Sequence, residues 1–378
     1  MRVLIVNWHD WTHPHAGGAE FHLRELVAQW SAWGHEVTLL VAGERGKPGE
    51  EALEGARVLR AGSRKTFNWV LPAAYRRLRE EPFDLVIEDL NKIPLYLPLF
   101  ARRPVLALVH HLFGATAFVE TNAAVAGYVW LGERGLAAAY RDVPFVAVSN
   151  STREDLIDRG IPPENVEVAH QGIRFPPAGL AVPRSLHPQF VHLGRLKRYK
   201  QVELALRAFA RVLPAVPRAR LAIAGSGDYT AELVREAGRL GLGDRVTFHG
   251  WMDEAEKWRL MAESWGFLYT SPKEGWGLGS VEAQAAGVPV VVSDSPGLRE
   301  TLVPGRTGFL VPHGDVDALA ERLRALASDP LLVERMGAEG RAHAAQFSWE
   351  RAAQRLLDAC ERRLRWGRVE RELEHASA

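Results

Sequence analysis

The fold is decided by the stretch YTSPKEGWGLGSVEAQAAGVPVVVSDSPG, residues 269–297. It contains two carboxylates and, between them, a loop with three glycines: Glu274, Glu282, Gly275, Gly277 and Gly279. After the loop, the sequence predicts a helix at about 280–286. Ser280 is expected to cap that helix and Gly287 to end it. The run 288–293 is short, apolar and β-branched, which predicts a buried parallel strand.

The corner between the glycine loop and this helix is an expected anion site. Backbone N–H groups in the first turn of a helix have no partner within the helix, and the helix dipole is positive there. A carboxylate on the loop and a second carboxylate on the helix add acceptors for sugar hydroxyls. The stretch as a whole is therefore suited to holding a sugar nucleotide.

Length and composition limit the class of protein. A chain of 378 residues is too long for one ordinary core, so two domains are expected. Hydrophobic content of 47% and charged content of 25% are typical of soluble globular proteins. The net charge of +1 gives no drive towards nucleic acid, and none is expected as a partner.

Targeting and redox features point to the cytoplasm. Cys360 is the single cysteine, which excludes a disulfide framework and a cysteine zinc cluster. The first residues, MRVLIVNW, predict a strand rather than a signal peptide. No apolar run is long enough to span a membrane, so the expected location is cytoplasmic.

The N-terminal half predicts alternating strands and helices. A strand at 2–7, a loop, a helix at about 19–33 and a strand at 35–42 form the start of a doubly wound domain. Further strands are predicted at 58–61, 84–88, 105–109, 145–149 and 166–169. Gly17 and Gly18 lie where the first loop enters its helix, either as a phosphate approach or as a tight turn.

Two adjacent histidines, His110 and His111, follow the strand at 105–109. Open α/β sheets bind ligands at the C-terminal ends of their strands. Neighbouring side chains on a strand point to opposite sides, so at most one of the pair is expected to face a ligand. A purely structural or solvent-facing pair is the alternative.

Two patterns raise the question of a metal site, and neither is favoured. His9, His13 and His15 share the first loop, but no carboxylate or cysteine pattern accompanies them, so contact with an acceptor is preferred. Asp315 and Asp317 form an Asp-X-Asp motif directly before a helical pattern, where capping is the better explanation.

The C-terminal half repeats the design after a proline-bearing linker at 175–188. Strands are predicted at 190–193, 221–224, 246–249 and 266–270, and helices at 202–212, 255–262, 331–347 and 348–366. The G-x-G at Gly225 and Gly227 resembles a dinucleotide fingerprint. Thr230 occupies the third glycine position, which disfavours a nicotinamide dehydrogenase.

Several motifs in order resemble glycosyltransferase family 4, the retaining enzymes of the GT-B fold. They are GGAE at 17–20, the strand-end His110, SNSTREDL at 149–156, GRLKRYK at 194–200 and EGWGLGSVEA at 274–283. The last is similar to the family's pair of glutamates separated by seven residues and is the most specific. The resemblance covers almost the whole chain.

The resemblance implies an α/β, GT-B architecture of two Rossmann-like doubly wound domains facing across a deep cleft. Residues 1–175 would form the acceptor domain, joined by a crossing helix at 348–366. Residues 188–347 would form the donor domain, which holds most of the nucleotide. The family's functional residues can be carried over position by position.

By this resemblance, Arg195 and Lys200 neutralise the diphosphate of the donor. The leaving nucleoside diphosphate gains negative charge as the glycosidic bond breaks, and preorganised cations stabilise that charge. Glu274 would contact sugar hydroxyls beside the reacting carbon, and Glu282 would accept hydrogen bonds from the ribose. His110, rather than His111, matches the family's donor-sugar histidine.

The resemblance implies further donor-binding positions, of which residues 276–279 would meet sugar and phosphate oxygens through their backbone amides. These positions are Gly17, Gly18, Gly194, Gly275, Trp276, Gly277, Leu278 and Gly279, with Trp251 expected near the base. The motif usually carries Phe at the position of Trp276, so this larger ring is expected to narrow the sugar pocket.

The implied activity is metal-independent, retaining transfer of a hexosyl group (EC 2.4) from a nucleotide diphosphate sugar to a hydroxyl of an unidentified acceptor. No cofactor and no metal ion are implied, and the pathway would be glycolipid, polysaccharide or other glycoconjugate synthesis. The alternatives are a sugar-nucleotide epimerase or phosphorylase on the same fold, or a non-catalytic sugar-nucleotide-binding protein. The intact set of Arg195, Lys200, Glu274 and His110 favours the transferase.

One N-terminal helix leaves the membrane question open. The run TFNWVLPAAYRRLRE, residues 66–80, mixes aromatic residues with Arg76, Arg77 and Arg79. Such a helix either rests on an anionic membrane at the inner face, or packs with a basic solvated face. The packed helix is the favoured interpretation.

Overall fold

The computed structural model describes residues 1–120 and 122–377, and it divides into two compact units. The first contains Met1–Gly172 and Ser348–Ala378, and the second contains Ile173–Phe347. The linker predicted at 175–188 therefore belongs to the second unit. Arg184 shows why, since its guanidinium donates 2.6 Å to the carbonyl of Gly287.

The first unit is built on one eight-stranded sheet. Its strands are β1 (Arg2–Val6), β2 (Glu36–Ala42), β3 (Glu50–Leu53), β4 (Ala56–Ala61), β5 (Leu85–Leu90), β6 (Val105–Val109), β7 (Phe145–Ala147) and β8 (Val166–Val168). They lie in the order β3-β4-β2-β1-β5-β6-β7-β8, and all neighbours are parallel except β3 and β4. The central strands are buried on both faces, as a parallel sheet covered by helices requires.

Strand β3 was not predicted from the sequence. It is a short edge strand with two glutamates, and its side chains are half-exposed or exposed. Its partner follows after a two-residue turn in which Glu54 and Gly55 both have positive φ. Such a turn closes an antiparallel hairpin, so the strand depends on its pairing rather than on apolar character.

The helices of this unit are α1 (Gly18–Ala32), α2 (Phe67–Arg77), α3 (Ala117–Glu120), α4 (Ala123–Arg134), α5 (Leu136–Ala139) and α6 (Asn150–Asp158). Helices α1, α2 and α6 of this unit pack against the sheet, whereas α3 and α4 pack against each other. Helix α2 buries Phe67, Leu71 and Tyr75, which are spaced by four residues on one face.

The second unit has a six-stranded, wholly parallel sheet. Its strands are β9 (Gln189–Leu193), β10 (Arg220–Ala224), β11 (Val246–Gly250), β12 (Gly266–Tyr269), β13 (Val290–Asp294) and β14 (Gly308–Pro312). Its helices are α7 (Val202–Val212), α8 (Thr230–Arg239), α9 (Glu254–Glu263), α10 (Leu278–Ala285), α11 (Val316–Ser328) and α12 (Pro330–Ala344). The strand order is β11-β10-β9-β12-β13-β14, which is the doubly wound Rossmann order. Both sheets thus confirm the predicted Rossmann-like α/β class.

The last helix, α13 (Trp349–Ser377), returns to the first unit and extends beyond the predicted end near residue 366. It lies against α1, where the indole N–H of Trp30 donates 3.1 Å to the carbonyl of Ala353. Within the described residues, no helix combines the length and the apolar character needed to cross a membrane.

Candidate functional site

The second sheet reverses its winding between β9 and β12, and two loops leave the C-terminal ends of these neighbouring strands. One is GRLKRYK at 194–200, and the other is the glycine loop that precedes α10. In doubly wound sheets the ligand binds at this switch point. The two most specific sequence motifs are therefore brought together by strand order.

A lysine and a glutamate connect the two loops. The ammonium of Lys200 contacts Oε1 of Glu274 and lies 3.4 Å from the hydroxyl of Tyr269. Both charged side chains are largely buried, at 8% and 12% exposed. Burial alone would lower the pKa of Lys200, but the Glu274 carboxylate outweighs it and raises that pKa, so the ammonium stays charged.

Helix α10 begins earlier than predicted. Its N-cap is Gly277, which has a φ of 101°, and a Cβ there would lie 2.7 Å from a methyl of Leu298. The prediction that Ser280 caps the helix is wrong, because Ser280 lies inside the first turn and its hydroxyl is 2.8 Å from that of Thr301. Gly287 follows the last turn with a φ of 76°, as predicted for a helix stop.

Glu282 lies on α10 and meets a cation that the sequence did not reveal. The ammonium of Lys257, on α9, lies 3.3 Å from each carboxylate oxygen of Glu282. Burial raises the pKa of Glu282, and Lys257 opposes that shift. Lys257 was missed because nothing in its local sequence distinguishes it from a solvated helix lysine.

Arg195 differs from Lys200 in its surroundings. Its side chain is exposed, and the described part of the chain contains no ion pair to it. Nearby Lys197 is instead paired with Asp228 at 2.6 Å. Arg195 therefore offers an exposed guanidinium on the loop that leaves β9.

The two tryptophans of the predicted donor set lie in contrasting environments. Trp276 is 1% exposed, and its ring meets that of Phe347 edge-on at 4.9 Å. The ring is thus packed in the interior of the second unit, and the expectation that it narrows a sugar pocket stays a prediction. Trp251 is exposed and follows β11, the edge strand two positions from β9.

A buried histidine, His192, lies on β9, close enough to Lys200 and Glu274 to feel their charges. Its Nδ1 lies 3.0 Å from the carbonyl of Leu268, so this nitrogen carries the proton. Burial, with a smaller contribution from Lys200, lowers the pKa of His192 to about 4, against opposing effects of Leu268 and Glu274. The folded protein therefore holds the ring neutral at neutral pH.

We expect acid to destabilise the second unit through His192. The unfolded chain has an ordinary histidine pKa of 6.5 and takes up a proton below that pH, whereas the folded chain does so only near pH 4. The free energy of unfolding should therefore fall by about 2–3 kcal/mol between pH 7 and pH 4.5 because of this residue. Urea unfolding of wild type and His192→Gln at both pH values measures it. An equal loss in the two proteins would contradict the assignment.

In the first unit, His110 follows β6 and is held by two neighbours. Its Nε2 lies 3.0 Å from Oδ1 of Asp89, at the end of β5, and its Nδ1 lies 3.2 Å from the amide nitrogen of Gln171. Since an amide nitrogen only donates, Nδ1 is the accepting nitrogen of the ring, and Nε2 is the nitrogen next to Asp89. Burial raises the pKa of Asp89, and His110 opposes that shift. His110, not His111, is the buried member of the pair.

At the start of α1, the backbone N–H of Gly17 is already bonded to a side chain of the same helix. The N–H of Gly17 donates 2.8 Å to Glu20, whose other carboxylate oxygen accepts from Lys92 at 3.0 Å. Gly18 is exposed and is the first residue of the helix. His9 and His13 stack with ring centroids 3.7 Å apart. The described residues contain no group of three or more side chains placed to hold a metal ion.

Asp315 acts as the predicted helix cap. Its Oδ1 accepts from the N–H of Ala318 at 2.9 Å, at the first turn of α11. Asp317 pairs with Arg211 on the surface. The capping interpretation of this Asp-X-Asp motif is confirmed.

Comparison with known proteins adds the following relatives. The chain is 34% identical over 222 residues to a D-inositol 3-phosphate glycosyltransferase of Streptomyces bingchenggensis, a match that covers 53% of this chain and 48% of that protein. It is 26% identical to a glycogen synthase of Mycobacterium tuberculosis, with 93% and 92% covered. The matched region thus spans about half the length of the first of these curated relatives.

Solved structures share the whole fold. A sucrose-phosphate synthase from Thermosynechococcus elongatus superposes with a TM-score of 0.76 at 24% identity, covering 99% of each chain. The Anabaena protein HepE, solved in complex with UDP-glucose, gives a TM-score of 0.75 at 21% identity, with 96% and 99% covered. These likenesses show that the chain has the GT-B fold.

Two family models match consecutive parts of the sequence. Glycosyltransferase Family 4 matches residues 16–175, and Glycosyl transferases group 1 matches residues 184–343. The first lies in the unit that carries His110, and the second lies in the unit that carries Lys200 and Glu274. The chain therefore belongs to glycosyltransferase family 4, the group 1 glycosyltransferases.

Proposed function

We propose that this chain moves a hexosyl group from a nucleotide diphosphate sugar to an acceptor hydroxyl, with retention of the anomeric configuration and without a metal ion. In this proposal it acts in the cytoplasm in glycoconjugate synthesis. The observation that carries the proposal is the buried Lys200–Glu274 pair at the switch point of the second sheet, beside the start of α10.

The roles follow from the charges at this point. Lys200 and the exposed Arg195 offer two cations for the diphosphate, and α10 adds backbone N–H groups after Gly277. Glu274 supplies acceptor oxygens for sugar hydroxyls. Glu282 lies in the second turn of α10. Its carboxylate would accept hydrogen bonds from the ribose hydroxyls while it also contacts Lys257.

The bond changes balance without an enzyme nucleophile. The acceptor oxygen forms a bond to the anomeric carbon while the bond from that carbon to the phosphate oxygen breaks. The proton of the acceptor hydroxyl passes to the leaving diphosphate on the same face of the sugar. Arg195 and Lys200 stabilise the charge that develops on that leaving group, where preorganised cations contribute several kcal/mol.

Names and ligands of the relatives support a nucleotide sugar as the donor. The Anabaena neighbour was solved with UDP-glucose, and three named relatives are an inositol phosphate glycosyltransferase, a glycogen synthase and a sucrose-phosphate synthase. Their acceptors differ, so they do not identify the acceptor of this chain.

Product analysis tests the proposal directly. The purified chain is first screened with nucleotide sugars by thermal shift, and the stabilising donor is then incubated with candidate acceptors. A free nucleoside diphosphate together with a new glycoside of retained anomeric configuration, seen by NMR, is the expected result. An epimerised sugar nucleotide, a sugar phosphate, or tight binding without turnover would each overturn it.

We expect Asp89 to act as a positioning residue for His110. In Asp89→Asn the amide can donate to Nε2, which favours the other tautomer of the ring. Transfer should fall by about 100-fold, the size of loss that follows from a misplaced group. Nitrogen NMR of histidine-labelled protein reads the tautomer independently of activity. A wild-type His110 spectrum in this variant would contradict the positioning role.

A further inference from the structure

Two helices of the first unit carry large exposed apolar side chains, which together are called the apolar face. It consists of Trp69 on α2 and Val125, Tyr128, Trp130 and Leu131 on α4, all exposed. Trp69 is 74% exposed and Leu131 is 63% exposed. The two helices touch, since the side-chain amide of Asn68 donates to the hydroxyl of Tyr128.

Helix α4 has an unusual sequence for a helix that meets solvent. Its residues are AAVAGYVWLGER, and its only charged positions are Glu133 and Arg134. Glu133 is 1% exposed and faces the interior together with Ala126 and Val129. The exposed side therefore has no acidic residue and ends in a single arginine. A helix that is apolar on nearly every side normally lies within a core or against a lipid or protein surface.

Basic residues flank this apolar face. Arg76 and Arg77 lie seven and eight residues after Trp69, so they share its exposed side of α2. On α4, the guanidinium of Arg134 lies 4.2 Å above the ring of Trp130. Helix α2 contains no acidic residue. On these two fully described helices, the exposed charges are thus all positive.

We propose that this apolar face docks on an anionic lipid bilayer. Trp and Tyr rings suit the boundary between headgroups and acyl chains, and arginines beside them attract anionic headgroups. A second copy of the chain fits less well. Two such faces placed together would oppose Arg76, Arg77 and Arg134 with the same cations. The headgroups of an anionic membrane would instead attract these three arginines.

The face lies on rather than through the membrane. A helix of twelve residues such as α4 is about 18 Å long, against about 30 Å of hydrocarbon in a bilayer. The apolar side chains of α2 and α4 would therefore enter only the interfacial layer. The proposal thus adds the membrane alternative to the favoured interpretation of α2, a packed helix with a basic outer face, because Phe67, Leu71 and Tyr75 are buried while Arg76 and Arg77 are exposed.

Helix α4 is also attached to the loop that follows His110. The two carboxylate oxygens of Glu133 accept from the N–H of Phe113 at 2.6 Å and of Gly114 at 2.8 Å. Docking through α4 would thus place the C-terminal edge of β6 near the membrane. An acceptor carried by the membrane would reach that edge without leaving the surface.

Vesicle co-sedimentation with the full chain tests the proposal. Wild type should bind vesicles of phosphatidylcholine mixed with phosphatidylglycerol at low salt, and bind phosphatidylcholine alone much more weakly. The double variant Trp69→Ser, Leu131→Ser should lower binding by about tenfold or more, because two large apolar side chains no longer insert. Arg76→Gln should lower it by about fivefold at low salt, and less at high salt.

The matched control is Leu331→Ser on α12 of the second unit. It removes a leucine that is 72% exposed, against 63% for Leu131. It should bind vesicles as wild type does. All substituted side chains are exposed, so unchanged thermal unfolding verifies the fold. Binding of the double variant equal to that of wild type, or no preference for anionic vesicles, would overturn the proposal. Concentration-dependent dimerisation that the same double variant abolishes would also overturn it and assign the face to a second copy.

This test is separate from that of the transferase. Turnover with a nucleotide sugar and a water-soluble acceptor needs no vesicle, and it should be unaffected by Trp69→Ser, Leu131→Ser. Vesicle binding without any turnover would overturn the transferase and leave the docking surface intact. Turnover without vesicle binding would overturn the docking surface and leave the transferase intact.

Discussion

Replacement of Lys200 by methionine is expected to abolish most sugar transfer and to destabilise the second unit by about 3–5 kcal/mol. The substitution keeps the length of the side chain but leaves the Glu274 carboxylate largely buried without its cation. It also removes a cation proposed to stabilise the leaving diphosphate. Lys200 therefore has both a structural and a chemical effect, and a single variant does not separate them.

The double variant Lys200→Met, Glu274→Gln separates these effects. Since it removes both buried charges, most of the lost stability should return. Transfer should remain absent, because neither the cation nor the carboxylate is restored. Thermal unfolding and donor turnover of wild type, single variant and double variant give the comparison. A double variant as unstable as the single one would show that the unpaired carboxylate is not the cause.

Lys197→Met is the matched control for this experiment. Lys197 lies in the same loop, and its partner Asp228 is mostly exposed. Surface pairs of this kind contribute about 0–1 kcal/mol, so stability should change little. Turnover should also stay near that of wild type. Wild-type turnover in Lys200→Met itself would remove Lys200 from the proposed donor site.

Arg195→Ala is expected to reduce transfer by about 100–1000-fold without changing the thermal unfolding temperature. The side chain is exposed, and no ion pair to it is found in the described part of the chain, so its removal breaks no ion pair there. The loss should come from the missing guanidinium beside the leaving diphosphate. Measured kcat/KM with the stabilising donor gives its size.

Two further variants sharpen the test of Arg195. Arg195→Lys keeps the charge but loses the planar two-pronged donor, so it should recover only part of the activity. Arg198→Ala removes another exposed arginine of the same loop and should leave kcat/KM unchanged. If Arg195→Ala and Arg198→Ala lower activity equally, general surface charge rather than a specific contact is responsible.

Local sequence patterns predicted most of the architecture. The strand at 105–109 and the helix at 202–212 occur with the predicted bounds. Their apolar periodicity is a property of neighbouring residues and is visible without a fold. Strand β3 escaped this reasoning because it carries glutamates and depends on the hairpin with β4. Helix α10 starts at Leu278 rather than 280 because Gly277 adopts a left-handed conformation at the N-cap. The loop contains three glycines, and the sequence does not show which of them adopts it.

The glycine loop at 274–279 and its flanking carboxylates were evident from the sequence, together with the basic loop at 194–200. Both patterns are local, and their residue types match the chemistry of a nucleotide sugar. The partners of these residues were not evident. Glu274 meets Lys200 across 74 positions, Glu282 meets Lys257 across 25, and His110 meets Asp89 of the neighbouring strand. Those contacts depend on which strands lie side by side and which helix faces pack together. Only the tertiary structure decides that, because spacing along the chain does not specify the neighbours in a sheet.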